Sequence, residues 1–212
     1  MPPHSRTGRV SRPGGGRRAW LQTATVSLGL LPAAALLAGA AANDLGANPI
    51  ETVTHVTGEW GLRLLLASLA VTPARRLLGW TWAAPLRRTL GLLAFFYVCL
   101  HLITFVALDH FFDWELILED ALERRYVSMG LVGFCCLLPL ALTSTRGMMK
   151  RLGRRWIRLH RLAYVAGVAG VIHFLWLVKA DLAPPLAYAG VLALLLGARL
   201  WPRRRREPAV PA

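Results

Sequence analysis

The sequence predicts an all-α fold, a polytopic membrane bundle of six transmembrane helices. Three observations carry that prediction. Apolar residues come in long unbroken blocks, basic residues gather in alternate connections between the blocks, and three histidines lie in or at the edge of them. The chain has 212 residues, 55% of them hydrophobic, and a formal net charge of +14. A soluble core helix needs only one apolar stripe, whereas a helix crossing about 30 Å of hydrocarbon needs about 20 largely apolar residues.

The blocks run over 20–42, 58–72, 89–108, 126–143, 159–178 and 185–200. The second is short and ends at Thr72-Pro73, so it either spans with little tilt or extends past the proline. Short connections leave no room for a soluble domain. The expected organisation is a basic cytoplasmic tail over 1–18, one transmembrane domain over 19–201 and a second basic tail over 202–212. The first tail is rich in Arg, Pro and Gly and reads as disordered. Arg17-Arg18 ahead of an apolar run ending in Ala40-Ala41-Ala42 also has the form of a twin-arginine export signal. An uncleaved first span is preferred, because the charge pattern needs an inside N-terminus.

The excess of positive charge does not point to nucleic acid. Of the 25 basic residues, all but Arg63, Arg124, Arg125 and Lys179 fall on one side when alternate connections are assigned together. The other connections hold Asp44, Glu51, Asp109, Asp113, Glu115, Glu119, Asp120, Glu123 and Asp181. The positive-inside rule makes the basic side cytoplasmic, with both termini inside a bacterial inner membrane and anionic lipid beside the clusters. Cys99, Cys135 and Cys136 all lie within spans and form no CxxC, which excludes covalent c-type haem and a zinc ribbon; they read as small packing residues.

Between the first two blocks, Asn48-Pro49-Ile50-Glu51 breaks the helix, and Trp60 suits the aromatic belt. The connection 109–125 is acidic and aromatic, fit for a short interfacial helix or a docking surface. Arg63 lies a few residues inside the second span, where it either snorkels outward or pairs with an anion.

The candidate chemistry rests on His101, His160 and His173. Ionisable residues are costly inside a bilayer and are functional candidates there. From the inner Arg88, His101 lies about 20 Å along its helix; from the inner Arg158, His173 lies about 22 Å along. The two therefore share a depth in the outer half, and a pair of imidazoles on neighbouring helices can clamp one haem iron. Such ligation leaves no open position and suits electron transfer. His160 lies about 20 Å below His173, near the inner face. Its counterpart position, thirteen residues before His101, is Arg88. Three readings of His160 stay open: a second haem, a flavin or a quinone among Arg155, Arg158 and Arg161. On a straight helix His160 and His173 would face about 140° apart, although Gly167 and Gly170 permit bending. Histidines that merely hydrogen-bond across helices, or that relay protons, account for the same spacing. His4, His55 and His110 read as solvated. Tyr97, Tyr164 and Trp176 lie near the histidines on their helices, but core packing is the simpler account.

At these residues the chain resembles the MsrQ (YedZ) family, within the ferric-reductase-like transmembrane group. The likeness covers nearly everything after residue 18. It runs through Asn48-Pro49-Ile50-Glu51, Thr57-Gly58-Glu59-Trp60, Thr72-Pro73, Arg87-Arg88-Thr89-Leu90-Gly91-Leu92 and Tyr97 to His101. It continues through Arg125-Tyr126, Leu142-Thr143-Ser144 and Trp156-Ile157-Arg158-Leu159-His160-Arg161-Leu162, and ends at His173-Phe174-Leu175-Trp176-Leu177-Val178-Lys179.

The resemblance implies a haem b membrane subunit that passes electrons to a periplasmic molybdopterin-dependent methionine sulfoxide reductase, its partner in a heterodimer. Electrons would enter on the inner side from the quinone pool or a flavin reductase, with FMN as a family cofactor. Methionine sulfoxide is a reversible lesion, so repair by reduction is chemically sensible. The family's haem histidines fall on His101, His160 and His173. Phe105 stands where a tyrosine is expected, and the tail has no counterpart. With a haem in the outer half, Arg63 is a candidate propionate partner, and Arg88 and Arg158 are candidate inner-side cofactor contacts. The chain is then an electron-transfer subunit and not an enzyme by itself. The alternatives are a stand-alone transmembrane ferric or other reductase, disfavoured because no nucleotide-binding domain is appended, and a non-enzymatic transporter with structural histidines.

Overall fold

The computed structural model describes residues 15–200. Every regular element among them is helical: α1 (Gly15–Ala41), α2 (Pro49–Leu77), α3 (Leu86–Ile103), α4 (Trp114–Glu123), α5 (Arg125–Leu142), α6 (Arg146–Leu152), α7 (Arg154–Leu159), α8 (Leu162–Leu177) and α9 (Ala183–Leu200). A 3-10 turn (Thr81–Ala83) precedes α3, and a π-helical turn (Thr104–Asp109) continues it. The chain is a polytopic helical membrane protein. Gly16–Ala41, Leu86–Asp109, Arg125–Leu142 and Arg154–Leu177 are long and apolar enough to cross a membrane; Ala183–Arg199 is apolar but shorter. Leu28, Leu31, Leu37, Leu186 and Leu194 on α1 and α9 are exposed, as suits a face solvated by lipid tails. The tails expected before Gly15 and over 202–212 lie outside the described residues. Residues 15–18, expected as tail, belong to α1.

α2 shows how the local sequence sets an element. Asn48 caps it by accepting from the Glu51 N–H at 3.3 Å, and Pro49 takes the first turn, where its missing N–H costs nothing. Of the two expectations for the second block, extension is what occurs: the helix runs through Pro73 to Leu77. A proline inside a helix frees the carbonyl four residues earlier, here that of Leu69. Arg199 of α9 donates to that carbonyl at 2.7 Å. The freed acceptor is satisfied from a distant helix, so the proline does not end this one.

α2 packs most extensively along α3, and α5 along α8. Leu64, Leu65, Leu93, Ala94, Tyr97, Leu137 and Ala166 form one buried cluster. Leu62, Leu66, Leu69, Val171 and Leu192 form a second, which joins α9 to the bundle. Tyr97 is fully buried, and its hydroxyl accepts from the Ala33 N–H at 3.1 Å and donates to the Gly29 carbonyl at 2.8 Å. Those two groups would pair directly in an unbroken helix, so Tyr97 bridges the ladder of α1 beside Pro32. Tyr97 is therefore a core residue locking α1 onto α3.

The span expected over 159–178 is not one straight helix. Around His160 the bonding tightens to a three-residue step, with Arg161 N–H on the Arg158 carbonyl and Tyr164 N–H on that of Arg161. His160 caps α7, and α8 begins at Leu162. The rotation computed for a straight helix therefore does not apply.

Candidate functional site

His101 on α3 and His173 on α8 meet inside the bundle, with ring centroids 6.0 Å apart and planes 87° apart. The depth argument brought them to one level, and the fold brings them side by side in an edge-on arrangement. Each ring is held in the same way. His101 Nδ1 lies 2.9 Å from the Thr54 carbonyl of α2, and His173 Nδ1 lies 2.6 Å from the Tyr126 carbonyl of α5. An Nδ1 facing a carbonyl must donate to it, which leaves the Nε2 lone pair of each ring for a metal.

Glycines make these approaches possible. A Cβ on Gly58 would stand 3.1 Å from the His101 ring, and one on Gly130 would stand 3.0 Å from His173 Nδ1. In both cases the glycine lies one helical turn after the bonded carbonyl. The carbonyl's second lone pair takes the imidazole N–H, and the absent side chain gives the ring its space.

This arrangement is a repeat that the sequence reading missed. Thr54, Gly58 and His101 recur as Tyr126, Gly130 and His173, each 72 positions on. At the same offset Gly61 matches Gly133, Leu65 matches Leu137, and Ala94 matches Ala166. The α2–α3 and α5–α8 pairs are thus equivalent units, each bringing one imidazole. The signal was present in the sequence as that shared offset.

The site fits a haem. A metal–imidazole bond of about 2 Å, plus the half-width of each ring, puts the centroids of two imidazoles sharing a metal about 6 Å apart. Among the described residues no group of three or more His, Cys, Asp or Glu could hold a bare ion. Two imidazoles leave the rest of the coordination sphere to the ligand itself, as porphyrin nitrogens supply it.

His160 belongs to a different place. A cavity of about 200 Å³ is lined by Arg87, Arg88, Ser68, Phe95, Trp156 and His160, among others. The Trp156 ring stacks on His160 at 3.8 Å, and its Nε1 donates to the Thr143 carbonyl at 3.0 Å. Arg88 is on the cavity wall, whereas Arg158 is exposed and stands outside it. Arg87 and Trp156 are wall residues that the sequence reading did not single out for this site.

Other expectations sort as follows. Arg63 is exposed, as snorkelling predicts, but it is ion-paired to Glu59, hydrogen-bonded to Tyr188 at 2.8 Å and stacked over Trp60. Tyr164 packs under the Arg199 guanidinium, 4.6 Å from ring centre to cation. His55 is exposed. His110 is not solvated: it is 6% exposed, with Nε2 2.9 Å from Asp120 and Nδ1 3.1 Å from the Phe105 carbonyl. Asp120 in turn holds the exposed Arg124 at 2.9 Å, so the buried hydrogen-bonded pair of His110 and Asp120 accounts for the difference.

Residues 57–171 match the family model described as ferric reductase like transmembrane component. Close relatives bear the name protein-methionine-sulfoxide reductase heme-binding subunit MsrQ. One from Rhodospirillum rubrum is 58% identical, over 80% of this chain and 83% of its own length. One from Caulobacter vibrioides is 50% identical over 77% and 79%, and one from Herminiimonas arsenicoxydans is 46% identical over 85% and 86%. The chain belongs to the MsrQ family. No solved structure matches it.

Proposed function

We propose that this chain is the haem b membrane subunit of a two-component methionine sulfoxide reductase, moving electrons without substrate chemistry of its own. The carrying observation is the adjacent pair His101 and His173, each with Nε2 left free. The relatives' names support the ligand and the system. His101 and His173 would hold the haem iron between them, and the group would supply one-electron transfer with no position left for a substrate. The chain's own part is to fix the two rings: the Thr54 and Tyr126 carbonyls hold Nδ1–H, and Gly58 and Gly130 admit the rings. Arg63 would reach a propionate only by leaving Glu59.

On the inner side, His160 Nδ1 is taken by the Trp156 carbonyl at 3.1 Å, so His160 and Arg88 offer an accepting nitrogen and a cation to an entry cofactor beside Trp156, with Arg158 outside as a further contact. FMN is the reading that family resemblance favours; a quinone and a second haem fit the same residues. Electrons would leave outward to a periplasmic molybdopterin-dependent partner, in a heterodimer. Six crossings of a bacterial inner membrane, counting α2 and α9, put both termini in the cytoplasm. The acid-free inner connections support that orientation.

Purified protein should show a reducible b-type absorption band. His101→Ala and His173→Ala should each abolish the outer haem, and His160→Ala should spare it. Retention in both outer variants would refute the pairing.

A further inference from the structure

The outer end of α3 is built in an unusual way. The π-helical turn Thr104–Asp109 leads into His110, which is buried against Phe105 (ring centres 4.2 Å) and Asp120. Phe111 and Phe112 follow with φ of 48° and 62°. Bulky residues avoid that region, and such strain gathers at functional positions. Its effect here is to turn two aromatic rings outward, 77% and 59% exposed. Asp113 then caps α4, accepting from the N–H groups of Glu115 and Leu116 at 3.1 Å. α4 exposes Trp114, Leu118 and Leu122 at four-residue intervals, one apolar stripe. Glu115, Glu119 and Glu123 form a parallel acidic stripe beside it.

A helix lying in the lipid interface carries Lys and Arg on its polar face. α4 has none and is acidic throughout, so it lacks the cations by which such a helix holds lipid headgroups. An apolar patch rimmed by carboxylates is complementary to a protein patch of apolar centre and basic rim.

The patch is also continuous with the histidine pair. α4 ends at Glu123, which lines an outer cleft of about 350 Å³ with Arg125, Tyr126 and Trp176. Tyr126 holds His173 through its carbonyl, and its ring lies 6.0 Å from the His173 ring. Trp176 is one turn beyond His173 and half exposed.

We propose that the turn 110–113 and the outer stripes of α4 are the docking surface for the sulfoxide reductase subunit. That subunit meets them with a basic-rimmed apolar patch and takes the electron at the Tyr126–Trp176 cleft. This rests on the electron-transfer reading above and adds where, and by what chemistry, the partner sits.

The test uses the full chain with its haem in nanodiscs, chemically reduced and mixed with the purified reductase subunit, while haem reoxidation is followed. Glu115→Lys with Glu119→Lys should slow reoxidation about tenfold or more at low salt, with the haem spectrum and potential unchanged. Reoxidation of the unmodified chain should slow as salt is raised. A photo-crosslinking residue at 118 should capture the reductase subunit. Unchanged rates in the double variant, salt-independent reoxidation, or capture of lipid alone would each overturn the docking surface. A chain with no reducible haem before mixing would sink the electron-transfer reading instead, so the two failures are distinguishable.

Discussion

Gly58 and Gly130 stand behind opposite histidines and do the same work, so one substitution should have the same consequence on either side. A methyl at 3.1 or 3.0 Å from the ring must shift it by a few tenths of an ångström. Gly58→Ala and Gly130→Ala should each lower haem content and alter the axial-ligand signal in electron paramagnetic resonance, with helicity kept. Normal content and signal in both would reduce the glycines to packing. Tyr97 makes the contrasting case. Tyr97→Phe leaves the Ala33 N–H and the Gly29 carbonyl unbridged, at a cost of about 1–3 kcal/mol. Thermal unfolding in detergent should register that loss while the haem spectrum stays fixed; a spectral change would place Tyr97 in the site after all. The histidines were legible in the sequence because depth needs only helix rise and the charges that orient each span. The glycines were not, because their role depends on which helix each histidine faces.

α2 and α9 depend on each other through one carbonyl. Arg199→Ala should expose the unmet Leu69 acceptor and destabilise the bundle by about 1–3 kcal/mol. In a Pro73→Ala background the residue at 73 supplies its own N–H to Leu69, and the same arginine substitution should cost distinctly less. Strict additivity in that double-mutant cycle would disprove the compensation. The extension of α2 past Pro73 was only one of two readings from sequence, since the group that permits it lies 130 positions from Leu69. His110 was misjudged for a related reason. Its position at the outer edge suggested water, but Asp120, on the following helix, draws it inside. The break at His160 had no signal in composition, which is continuous across it.

At the scale of the molecule, orientation is the property most open to direct measurement. Once Cys99, Cys135 and Cys136 are replaced, cysteines at Asp44 and Asp181 should react with an impermeant maleimide applied from outside intact cells. One at Lys150 should react only after the membrane is opened. Labelling of Lys150→Cys in intact cells would invert the proposed direction of electron flow. Long apolar blocks made the polytopic class plain in the sequence, and charge asymmetry gave the expected orientation. The twofold arrangement of helix pairs was less visible, since few of the offset positions keep the same residue.

The repeated helix pairs have one more consequence. On the proposed ligation each pair would contribute one histidine, and bound haem would tether the two pairs to each other. Ligand that binds only the assembled form stabilises it in proportion to the logarithm of its free concentration over its dissociation constant. Haem supply would then add to the stability of the protein as well as set its redox competence, on top of the core that already joins the two pairs.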